Sequence, residues 1–227
     1  MQETGADLVE VGIPFSDPLA DGPVIQQSTQ VALDGGMTVS GMLELVREAA
    51  IDIPIVAFGY LNPILAYGFP RFLEDASRVG ISGLLLTDLP AGEDAAIERL
   101  VSDSSLALIR LIAPTTVEAR TRAAVAGAEG FIYLISRLGV TGAETSVGRD
   151  LAATVQRVRG VSDLPIAVGF GIATGEQAAA VGRLADGVVV GSALVRRLAD
   201  GLEPARDLMI ELASALRKSY DGSKSPA

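Results

Sequence analysis

Leu8-Val9-Glu10-Val11-Gly12-Ile13-Pro14-Phe15-Ser16-Asp17-Pro18-Leu19-Ala20-Asp21-Gly22-Pro23 is the stretch whose reading decides the fold. An apolar run broken by a single acid passes straight into a loop of prolines, glycines and aspartates. Side chains alternate along a strand, so Val9, Val11 and Ile13 share one face and Leu8, Glu10 and Gly12 the other. An ionised carboxylate in an apolar strand is costly unless it is paired, or its pKa moves. Glu10 is therefore a salt-bridged acid, an acid on a solvated strand edge, or an acid/base group at the mouth of a barrel.

Outward from this stretch, further β-like runs recur at Pro54–Phe58, Gly83–Thr87, Ala107–Leu111, Gly130–Leu134, Leu164–Val168 and Gly187–Val190. Most are continuously apolar, as strands covered on both faces are. Helical patterns lie between them at Val39–Ala50, Pro70–Val79, Gly92–Val101, Thr116–Val125, Arg149–Val158 and Gly175–Leu184. Thr115 with Glu118, and Thr174 with Gln177, read as capping boxes. A last helix is expected over Glu203–Ser219. Strand–helix alternation of this kind means a parallel α/β sheet with right-handed crossovers. The expected fold is a TIM-type (β/α)8 barrel lacking its first strand, with about seven parallel strands present. Gln2 to Asp7 reads as the tail of a helix and its turn into a strand, so the chain is expected to open after a missing first strand. Residues 1–220 are expected to form a single barrel domain, and 221–227 a disordered tail.

Composition narrows the chemistry. With 227 residues, 49% of them apolar, one large core can be buried. A net charge of −10 argues against nucleic acid and anionic membranes as partners. It leaves anionic small molecules open, because backbone N–H groups at helix N-termini hold phosphate without Lys or Arg. There is no Cys and no His. Disulfides, thiolate and imidazole metal ligands, Cys nucleophiles and Ser-His-Asp triads are excluded together, and no metal site is expected. Proton transfer falls to Asp, Glu, Tyr or Lys. No basic-then-apolar leader is visible, and the most apolar window, Ile53 to Phe69, is broken by Pro54, Gly59, Asn62, Pro63 and Gly68. A cytoplasmic, soluble chain is expected.

Polar and glycine-rich residues gather after the strands, at the rim where barrels of this type carry their active sites. Asp17 and Asp21 follow the first strand, Asp88-Leu89-Pro90 the third, and Ser136-Arg137-Leu138-Gly139-Val140-Thr141-Gly142 the fifth. The last two strands end in Gly169-Phe170-Gly171 and Gly191-Ser192-Ala193, with a short helix opening at Ser192. Glycines there suit a phosphate cradle, although each alone is an ordinary turn residue.

The run Val9 to Pro23, together with Gly139-Val140-Thr141-Gly142, Gly169-Phe170-Gly171, Tyr60-Leu61-Asn62-Pro63-Ile64 and Asp88-Leu89-Pro90, resembles the tryptophan synthase α-subunit family over essentially the whole chain. That resemblance implies retro-aldol cleavage of indole-3-glycerol phosphate to indole and glyceraldehyde 3-phosphate. It also implies an α2β2 complex with a β subunit that carries pyridoxal phosphate, with no cofactor in this chain. Glu10 and Asp21 match the family's catalytic acids. Tyr133, Thr141, Phe170 and Tyr60 match residues beside the substrate, although Tyr60 and Tyr133 would also serve as core. Gly142, Gly171, Gly191 and Ser192 match the phosphate positions, and Asp17 and Pro18 the surface that meets the β subunit. Residues 136–146 resemble the family's mobile lid. One competing function is a catalytically weak chain that only docks on and activates the β subunit. Another is a different phosphate-binding barrel, but such enzymes commonly use a strand Lys, and no strand assigned above contains one.

Overall fold

The computed structural model describes residues 1–135, 144–169 and 171–223, with the side chains of 144–149 and 220–223 left aside. Seven parallel strands pair in sequence order: β1 (Val9–Gly12), β2 (Ile55–Gly59), β3 (Ile81–Leu86), β4 (Ala107–Ile112), β5 (Ile132–Ile135), β6 (Ile166–Gly169) and β7 (Gly187–Val189). The sheet curls into an open barrel. Among the described residues β1 pairs only with β2 and β7 only with β6, so both outer strands present an unpaired edge. Between the strands run α1 (Pro23–Asp34), α2 (Val39–Ala49), α3 (Leu61–Tyr67), α4 (Phe69–Arg78), α5 (Ala95–Ser102), α6 (Glu118–Val125), α7 (Glu144–Arg159), α8 (Gly175–Gly182) and α9 (Ser192–Asp200), and α10 (Leu202–Ser223) closes the chain.

Strand alternation sorts the apolar residues into layers. Outward-facing residues such as Ile55, Ala57, Leu84 and Leu108 bury against α2 to α5, where Leu43, Phe72 and Val101 complete one core. Ile132, Leu134, Ile166 and Val168 do the same against α7, α8 and α10, with Val155, Val181 and Leu212. The opposite faces meet inside the curl: Val56, Leu85, Ile109 and Tyr133 are buried together, flanked by Leu8, Phe58, Leu111 and Val189. Leu8 lies on this inner face while Val11 packs on the outer core, so Glu10, two residues from Leu8, points into the lumen.

Helix starts follow local chemistry. Thr38 caps α2 by accepting from Gly41 N, and Asp94 caps α5 by accepting from Ala96 N and Ile97 N. Thr174 caps α8 as expected, with Gln177 N donating to its hydroxyl at 3.3 Å. Gln177 reaches back one residue further than a capping box requires, to Ala173 N. The other expected capping box does not form. α6 begins at Glu118 behind Val117, so the N-cap position falls two residues after Thr115 on a side chain with no oxygen to offer.

α1 and α3 form where the sequence reading expects no helix. Pro23, read from the sequence as part of a loop, and Pro63, read as a break in the apolar window, both sit in a first turn, where a missing N–H costs nothing. α10 runs past the expected end at Ser219 to Ser223, through the first residues assigned to a disordered tail. Its Leu208, Leu212 and Leu216 pack on the β5–β6 core and carry the helix onward.

Candidate active site

Glu10 stands in the middle of β1, paired in register with Val56. Its Oε1 is buried and has no hydrogen-bond partner. No cation balances it among the described ion pairs. Burial raises its pKa from the ordinary carboxylate range to about 7. Among the described residues, the salt-bridged alternative for Glu10 has no partner. Tyr133 faces Glu10 from β5: burial, and secondarily the Glu10 charge, push the phenol above its usual range. Tyr133 is 6% exposed, and its hydroxyl fills the space where a Cβ on Gly169 would stand. Only glycine at 169 lets the ring lie there.

Asp21 sits in the loop between β1 and α1, and a set of hydrogen bonds fixes it. The Tyr60 hydroxyl donates to Asp21 Oδ2 at 3.1 Å and accepts from Ala20 N at 2.9 Å. Gln26 Nε2 donates to Asp21 O at 2.9 Å, and Asp21 N donates to Pro18 O. Burial raises the Asp21 pKa, and the Tyr60 hydrogen bond opposes part of that rise. Tyr60, at the end of β2, is buried with its ring centroid 5.4 Å from that of Phe15. It is both core residue and polar tether. Thr87 and Asp88, beyond β3, extend the same set: Thr87 Oγ1 donates to Gly59 O at 3.1 Å, and Leu61 N donates to Asp88 Oδ1 at 2.9 Å.

The opposite rim carries glycines. Gly171, after β6, adopts φ +82°, a conformation that excludes most side chains. Gly191 ends the β7 turn as N-cap of α9, and a Cβ built on it would meet no atom within 4 Å. Ser192, the first residue of α9, is exposed. Gly191 and Ser192 front open space at the N-terminus of α9, the arrangement that receives an anion. Thr141, Gly142 and Phe170 lie outside the described residues, as does most of the expected lid.

Asp17 is exposed and Pro18 half-buried, and Leu19 between them and Ala20 is 92% exposed. In the sequence, a lone leucine within Asp-Pro-Leu-Ala-Asp is the one signal of this exposed side chain. Glu10 and Tyr133 are thus brought together inside the lumen, and Asp21 and Tyr60 at one rim, with Gly171 and Gly191 after the last strands. Among the described residues no helix is long and apolar enough to cross a membrane.

Known proteins resemble this chain over most of its length. The family model described as tryptophan synthase alpha chain matches residues 1–223. The tryptophan synthase alpha chain of Gluconacetobacter diazotrophicus is 50% identical over 198 residues, covering 86% of this chain and 72% of the relative. That of Citrifermentans bemidjiense is 51% identical over 199 residues, covering 86% of this chain and 74% of the relative. The crystal structure of tryptophan synthase from M. tuberculosis in its aminoacrylate-bound form superposes with a TM-score of 0.86 at 38% identity, covering 95% of this chain and 84% of that one. With a family model matched over residues 1–223 and relatives at 50% and 51% identity over 86% of its length, this open seven-stranded barrel belongs to the tryptophan synthase alpha chain family, lyases of tryptophan biosynthesis.

Proposed function

We propose that this chain cleaves indole-3-glycerol phosphate to indole and glyceraldehyde 3-phosphate, as the α subunit of a cytoplasmic tryptophan synthase. The observation that carries this reading is the Glu10 carboxylate, buried in an apolar lumen with no cation paired to it among the described residues, its pKa pushed up by burial to about 7. A group poised near neutrality can give a proton and take one at the same pH. The cleavage needs both steps. One proton is added to indole C3, and one leaves the glycerol hydroxyl on the adjacent carbon. The C–C bond then breaks as that carbon becomes the aldehyde carbonyl, and its electrons return to the ring.

Asp21 accepts the indole N–H and stabilises the positive charge that grows on the ring once C3 is protonated. Tyr60 holds Asp21 in place. Tyr133 walls the lumen beside Glu10 and helps exclude water. Gly171, Gly191 and Ser192 grip the phosphate through main-chain N–H groups, joined by Gly142, and Thr141 and Phe170 complete the substrate pocket. This chain contributes no cofactor. Asp17, Pro18 and the exposed Leu19 dock on a β subunit that carries pyridoxal phosphate.

The test is indole release from indole-3-glycerol phosphate by the purified chain, alone and with a tryptophan synthase β subunit. Turnover that falls about 100- to 10,000-fold in Glu10→Gln supports the reading. Retained turnover in Glu10→Gln removes Glu10 from the mechanism. No indole from the wild-type chain, with stimulation of the β subunit intact, would instead favour a docking-only role.

A further inference from the structure

Arg110 is a charged residue that neither core nor candidate site explains. It lies on β4 with its side chain turned away from the lumen, between Leu108 and Ile112, and is 5% exposed. Its Nη2 pairs with Glu98 Oε1 of α5 at 2.6 Å, and its Nη1 reaches Leu89 O at 3.5 Å. The same Glu98 oxygen accepts from Gly92 N at 2.8 Å. Arg110 and Glu98 therefore hold both ends of the 89–92 loop that links β3 to α5.

That loop has little under it. A cavity of about 180 Å³ opens beside it, bounded by Leu86, Leu89, Pro90, Leu108, Arg110 and Ala124. Arg110 Nε is buried there without a partner. A buried ion pair adds little stability compared with apolar residues of the same volume. A polar pair retained beside a void is poor packing, so its use lies in geometry. Asp88, at the start of the loop, receives Leu61 N; the neighbouring residue is Tyr60, which binds Asp21.

We propose that Arg110 and Glu98 are positioning residues. Their ion pair braces the loop after β3, so that Asp88 fixes the start of α3 and, through Tyr60, the carboxylate of Asp21. The proposal rests on the lyase reading for the role of Asp21. The brace itself is a matter of structure and is measurable without turnover.

The experiment compares wild type, Glu98→Gln and the double variant Arg110→Met/Glu98→Met by indole-release kinetics and amide hydrogen exchange. The apolar double variant removes both charges and keeps the volume, so it is expected to fold with a Tm near wild type. Its kcat is expected to fall about tenfold, since a displaced catalytic group slows the reacting step. KM stays within about twofold because the phosphate grip is elsewhere. Exchange at the Leu61 and Ala20 amides accelerates while β3 amides do not change. Glu98→Gln keeps an acceptor for Gly92 N and is expected to fall between wild type and the double variant. Wild-type kcat in the double variant, or unaltered exchange at Leu61 and Ala20, would overturn the brace. If wild type itself releases no indole, the lyase reading fails, and the exchange comparison alone decides for or against the brace.

Discussion

The two walls of the lumen are built from different residues. From β2 to β5 the inner face carries Val56, Phe58, Leu85, Ile109, Leu111 and Tyr133. From β6 to β7 it carries Ala167, Gly169 and Gly187 before Val189. The rims differ in the same way. Above the first wall, Asp21 and Tyr60 are side chains tied by named hydrogen bonds. Above the second, Gly171 and Gly191 offer bare main chain. The contrast follows from what each side has to do. A proton-transfer group needs a side chain whose ionisation its surroundings can move, and the large apolar wall supplies that by excluding water. An anion grip needs N–H groups approached closely, and any side chain there is an obstruction.

The largest effect expected from breaking this contrast on the first wall is in stability against pH. Glu10 has a folded-state pKa of about 7, above its unfolded value of 4.5. The folded chain thus binds a proton that the unfolded chain releases between those values. Stability from this group is full below pH 4.5 and declines as pH rises, until the loss is complete above about 7. Glu10→Gln removes a penalty on the order of 3 kcal/mol above neutrality. Thermal unfolding at pH 8 should show the variant more stable than wild type, with the gap closing towards pH 4.5. A constant gap across that range would mean that the carboxylate is not buried uncompensated.

The second wall gives a smaller effect of a different kind. Gly191→Val places atoms where nothing now stands within 4 Å, so the fold has room for them and a bound phosphate does not. KM for indole-3-glycerol phosphate should rise about tenfold with kcat nearly kept, the pattern of lost uniform binding. An unchanged KM would move the phosphate away from α9. The two substitutions together separate the walls: one changes ionisation and turnover, the other substrate binding.

How much of this was legible in the sequence depended on range. Period-2 alternation around Glu10 placed it opposite Val9 and Val11, and the structure confirms that face because Leu8 and Val11 pack in different cores. The order and number of strands were legible because continuous apolar runs mark buried parallel strands. α1 and α3 were not, since Pro23 and Pro63 look the same in sequence whether they end a helix or begin one. Tyr60 was visible as a motif residue, but its grip on Asp21 spans 39 residues and needed the fold. Arg110 and Glu98 carried no motif at all. Their pairing depends on β4 and α5 lying side by side, which no local pattern encodes.

Glu10 is buried in an apolar lumen with no partner for its Oε1 among the described residues, and its own ionisation reports that state most directly. Carboxyl-labelled glutamate followed by carbon NMR through a pH titration of the folded chain reports the midpoint. One resonance absent from Glu10→Gln is expected to titrate at about 7. A midpoint at the ordinary glutamate value of 4.5 would contradict the account, because it would show that water or a cation reaches the group.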